Sequence, residues 1–97
     1  MRRDDFVFCI GFEGSAAIVD GKLARTHAGW TAVRLAEEGL FKPAVAAALF
    51  DGSAADLEAV LALYNARGGA PARSTDELKR IFGLSGVPDG VTKVTVV

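Results

Sequence analysis

The segment Asp5–His27, DFVFCIGFEGSAAIVDGKLARTH, constrains the fold most, because it holds the densest apolar run of the chain and two turn signals in quick succession. Phe6-Val7-Phe8-Cys9-Ile10-Gly11-Phe12 is apolar at every position. As a strand it would place Phe6, Phe8, Ile10 and Phe12 on one face and Val7, Cys9 and Gly11 on the other. With both faces apolar, the strand is expected to be central and covered on both sides, or helix-covered on one side and partly exposed on the other. Glu13-Gly14-Ser15 then breaks the run, with Gly14 the residue expected at positive φ. Ile18-Val19-Asp20-Gly21-Lys22-Leu23 places Asp-Gly between apolar residues, the pattern of a type I′ hairpin. That register would pair Val19 with Lys22, Ile18 with Leu23 and Ala17 with Ala24. A three-strand meander over about 5–12, 15–20 and 22–26 follows.

Downstream, capping chemistry and helical spacing predict four helices. Thr26 can cap the first, over 28–38, and Gly39 sits where a left-handed C′ residue belongs, with Leu40 placed to touch Leu35. Pro43 suits the first turn of a second helix over 43–51, ended by Gly52. Ser53, with Asp56 three residues on, opens a third over 54–67, whose stripe is Leu57, Val60, Leu61 and Tyr64. Ser74-Thr75-Asp76-Glu77 is a capping box opening the fourth over 75–83. Thr92, Val94 and Val96 alternate with Lys93 and Thr95, a half-buried strand over 91–97 expected to return beside the first strand. The sum is one α+β domain over 1–97, with the helices packed on one face of a mainly antiparallel sheet.

A chain of 97 residues, half of them apolar, has room for one core and no second. Eleven basic residues stand against twelve acidic ones and are scattered, which is not the footprint of a phosphate-backbone binder, so nucleic acid is not an expected partner. The one cysteine, Cys9, permits no intrachain disulfide. Met1-Arg2-Arg3 and the apolar run superficially mimic a secretory leader, but Asp4 and Asp5 occupy the region that should be positive and Glu13 ends the run early. No run approaches a membrane span, and a cytoplasmic location is expected.

Each candidate for chemistry has a structural reading beside it. Gly11-Phe12-Glu13-Gly14 follows an apolar run as a phosphate loop would, yet the expected hairpin at Asp20-Gly21 leaves no room for the helix that such a loop needs. A strand, a glycine-bearing turn and Val19-Asp20-Gly21-Lys22-Leu23 also trace the first hairpin of sugar kinases and actin-like ATPases. Those families require an acid within the first strand, where Cys9-Ile10 stands here, and two large domains, so no resemblance is drawn. Cys9 and His27 are each single. A thiolate–imidazole pair would need them in contact, and together they fall short of a structural zinc site. Glu37 and Glu38 point about 100° apart on a helix and cannot converge on one bond. Residues 44–51 and 54–66 around Gly52-Ser53 imitate a helix-turn-helix, but the second helix would begin with Asp56 and Glu58 and no base-reading cation.

What remains is Glu13 and Ser15 in the first turn, His27 at a strand end, and Trp30, a core residue or a partner anchor. The best reading is a protein-interaction or regulatory module without an active site of its own or a cofactor. Its expected partner is another protein, or a second copy, at a sheet edge. The alternative is a small enzyme or ligand-binding domain with its site near Glu13, Ser15 and His27.

Overall fold

The structure, a computed structural model, describes residues 1–97 and confirms the α+β class, with six helices and a three-stranded mixed sheet. In chain order the elements are α1 (Arg3–Val7), β1 (Cys9–Glu13), β2 (Ala16–Val19), α2 (Gly21–Thr26), α3 (Ala32–Glu37), α4 (Phe41–Asp51), α5 (Ala54–Ala66), α6 (Thr75–Ile81) and β3 (Lys93–Val96). The sheet order is β1-β2-β3, with β1 antiparallel and β3 parallel to β2. The C-terminal strand therefore adds beside β2, not beside β1, and β1 is an edge strand instead of a central one.

The apolar run divides where a strand was expected throughout. Its first part is helical, with Asp4 and Asp5 in the first turn, where acids complement the helix dipole. Arg3 clamps the C-terminal end of α4 through Nε–Oδ1 at 2.9 Å and Nη2–Oδ2 at 3.1 Å to Asp51. That hydrogen bond is the main reason the Arg3 guanidinium is held above its ordinary pKa. Phe6 and Val7 are both buried, and the Phe6 ring lies 6.3 Å from that of Phe50. Adjacent residues on a strand face opposite sides, whereas on a helix they stand about 100° apart and one broad buried face can take both.

The second correction concerns residues 22–26, which are not a strand. A type I′ turn needs φ > 0 at both central residues. Asp20 instead has φ −74° and caps α2, its side chain accepting from Leu23 N–H at 3.0 Å. Thr26 belongs to the same helix, donating back to Lys22 O at 2.9 Å, so α3 starts later, under Thr31. Asp20→Ala is expected to cost about 1 kcal/mol, while Asp20→Ser, a good cap but a poor I′ residue, stays within about 0.5 kcal/mol of the wild type. Urea midpoints of the three proteins decide it: equal losses for both variants would return Asp20 to a turn.

Elsewhere the local chemistry is as expected. Gly14 has φ 61° and opens a two-residue turn closed by Glu13 and Ala16, the type II′ arrangement. Gly39, at φ 81°, donates to Ala36 O at 2.9 Å, and Leu40 N–H reaches back to Leu35 O at 3.0 Å, a Schellman close. Ser53 and Ser74 accept from the N–H groups of Asp56 and Glu77 at 3.1 and 3.2 Å.

The core lies chiefly among helices. On α4, Ala44, Val45, Ala46, Ala47 and Ala48 are all buried, so its middle has no solvent side. It packs against α1, α3 and α5, while α1 also contacts β2. The helices therefore gather on each other more than on the sheet, and the sheet stands at the margin of the core.

Open sheet edges as the candidate functional site

The four residues singled out in the sequence occupy two places. Glu13 and Ser15 flank Gly14 at one end of the sheet. Ser15 is engaged there: Thr92 donates to it twice, from N–H to Ser15 O at 3.0 Å and from Oγ1 to Ser15 Oγ at 2.9 Å. Those bonds fasten the entry of β3 to the hairpin turn. Glu13 is exposed and forms no ion pair within the chain.

His27 and Trp30 lie at the opposite end. The His27 ring stands edge-on to Trp30, 4.6 Å between centroids, and 6.2 Å from Phe8, which immediately precedes β1. Its Nδ1 lies 2.9 Å from Leu23 O, at the close of α2. The Arg34 guanidinium sits 3.9 Å from the Trp30 centroid, a stacked cation. This stack ties the 27–31 connection to the sheet. Phe8 and Glu13 are separated by the length of β1, roughly 15 Å at ~3.3 Å per residue. The structure thus joins His27 to Trp30 and Ser15 to Thr92, but does not bring Glu13 and Ser15 together with His27.

Cys9 is half-buried and its Sγ lies 3.1 Å from Gly11 O. No group of three His, Cys, Asp or Glu side chains is placed to hold a metal ion. The apolar concavity beside β1, lined by Val7, Phe8, Cys9, Ile10, Leu23, Lys42 and Pro43, measures about 160 Å³. That is well below the roughly 300 Å³ at which small-molecule sites begin. A larger hollow at the end of α6 is lined by Asp76, Lys79, Arg80, Leu84 and Ser85, two of which, Lys79 and Asp76, are already joined at 3.1 Å. No helix is long and apolar enough to cross a membrane.

The unexpected feature is where large apolar side chains meet water. Ile10 is 55% and Phe12 52% exposed on β1, and Val94 is 37% and Val96 58% exposed on β3. The register aligns Phe12 with Ala17 and Val94, and Val19 with Val96, so Phe12, Val94 and Val96 share the sheet face of Ala17 and Val19. The two β2 residues are buried, at 0% and 2% exposure, but the flanking edge strands are not covered. The apolar run is compatible with a strand covered on both faces or on one only, and the alternation over 91–97 predicts a half-buried strand. Alternation identifies a face without saying whether any helix reaches it. Phe41 is half-buried and packs edge-on to Tyr64 at 5.3 Å. No protein-family model, no curated protein and no solved structure matches this chain.

Proposed function

We propose that the protein is a small cytoplasmic interaction module, without an active site of its own, that engages another polypeptide through the open edges of its sheet. The supporting observation is the exposure of Ile10, Phe12, Val94 and Val96 on the two edge strands of a three-stranded sheet. An uncovered edge offers unpaired N–H and C=O groups to an incoming strand, and apolar neighbours supply the area that such pairing buries. The alternative, a catalytic or ligand site shared by Glu13, Ser15 and His27, requires groups that stand at opposite ends of β1.

A photo-crosslinker placed at position 12, at position 94, or at exposed position 58 on α5 tests the reading in lysate of the native host. Adducts from 12 and 94 but not from 58 are expected. An absence of adducts at both edge positions, or equal labelling at position 58, would overturn it.

A further inference from the structure

We propose that the partner at these edges is a second copy of this chain, with β3 of one molecule adding antiparallel to β1 of the next. This deepens the interaction reading above and rests on it. Three features of the two edges match one another.

The first is backbone direction. In a two-residue hairpin the closing pair, Glu13 and Ala16, is hydrogen-bonded, so alternation turns the N–H and C=O of Phe12 outward. On β3, Val97 N–H donates inward to Val19 O at 2.9 Å. Alternation then turns Thr95 inward and Val94 outward. Phe12 and Val94 therefore both present unpaired backbone groups. Because β1 runs antiparallel to β2 and β3 parallel to it, β1 and a neighbouring copy's β3 meet antiparallel if the sheet simply continues.

The second is charge. With Phe12 opposite Val94 of the next copy, Glu13 falls opposite Lys93. Both are exposed, and neither forms an ion pair within its own chain. Inside one molecule they share a row across β2 but stand two strand spacings apart, about 10 Å. Pairing β1 with another β1 about Phe12 would set Glu13 against Gly11, and pairing β3 with β3 through Val94 and Val96 would set Lys93 against Val97. Only the β1–β3 combination opposes the two charges.

The third is apolar matching. Phe12 and Val94, each exposed on the same sheet face, become direct cross-strand neighbours. The register irregularity between Cys9 and Gly11 bends the far end of β1 from the line of the sheet. That confines the added pairing to Gly11–Glu13 against Lys93–Thr95 and keeps the contact small and reversible. Since the two patches differ, the contact is head-to-tail: each added copy leaves one β1 and one β3 edge free, and assemblies lengthen with concentration.

Sedimentation velocity over about a hundredfold range of concentration tests this, at low salt where exposed charges act over more than about 10 Å. The weight-average sedimentation coefficient of the wild type is expected to rise continuously. Glu13→Lys and Lys93→Glu should each weaken association about fivefold or more, since each replaces an attractive cross-strand pair by a repulsive one. An equimolar mixture of the two variants should associate again, because the introduced lysine of one then meets the introduced glutamate of the other, and the double variant should recover alone. Far-UV circular dichroism and thermal melting confirm that these exposed substitutions leave the fold intact. A wild type that stays monomeric, a Lys93→Glu variant that associates unchanged, or a mixture no stronger than its components would overturn the proposal. A monomeric wild type that still crosslinks to a different protein from positions 12 and 94 leaves the interaction reading standing and removes the second copy. Failure of all crosslinking removes the interaction reading itself.

Discussion

Leu35→Ala is expected to lower the stability of the domain by about 3 kcal/mol, the mid-range cost of deleting a buried leucine and leaving a partly collapsed cavity. Leu35 is 0% exposed near the middle of α3, which packs on both α4 and α5. The core cluster that holds Leu35 also contains Ala44, Ala47 and Ala48 of α4, whose side chains are too short to fill a vacated space. For a domain of this size the loss corresponds to roughly 15 °C in melting temperature. It is also a large share of a total stability of about 5–15 kcal/mol. Urea and thermal unfolding measure it, with exposed Val87→Ala as the control expected within about 0.5 kcal/mol of the wild type. A loss below about 1 kcal/mol would show that the α3–α4–α5 contact is not the centre of the core.

Gly21→Ala carries the second large effect, and its sign is the informative part. Gly21 starts α2 at a negative φ, where replacing glycine by alanine ordinarily stabilises by up to about 1 kcal/mol. Here a Cβ would stand 2.6 Å from Val96 Cγ1 and 3.1 Å from Val97 O, the carbonyl that accepts the Gly21 N–H at 3.0 Å. Val96 is short and stiff at χ1, and Val97 O is backbone, so the end of β3 must move. A net destabilisation of about 1–2 kcal/mol is expected, with faster hydrogen exchange at Gly21 and Val97 and little change at α4. Stabilisation instead would show that β3 is not seated on the first turn of α2. Because the same variant loosens β3, it should also weaken any association that uses this strand.

The two corrected elements show why local signals stop short of the fold. Asp20-Gly21 serves equally as a tight hairpin turn or as a helix cap followed by a small first residue, since a carboxylate satisfies orphan N–H groups in both. The decision rests on Val97 O and Val96, which demand a glycine at position 21 and come from the far end of the chain. Phe6-Val7-Phe8 likewise fits a strand by alternation and a helix by clustering. The Arg3–Asp51 pair and the Phe50 ring tip it toward helix, and both partners lie more than forty residues away. The same limit governs the site: Ser15 was visible as a turn residue, but its engagement with Thr92, 77 positions on, was not.

Much was determined by the sequence alone. The later helices with their Ser53 and Ser74 caps, the left-handed closes at Gly39 and Gly52 and the turn at Gly14 all follow from hydrogen bonds spanning a few residues, which are the same in any tertiary setting. The α+β class follows from the change between alternating and helical spacing along the chain. Only the tertiary structure decided the placement of β3 beside β2, the helical ends of the N-terminal segment and the exposure of Phe12 and Val94. Those outcomes depend on which distant surface covers which, and burial is a property of the assembled layers. Alternation along a strand records two faces, but the reach of the helices settles which one meets water.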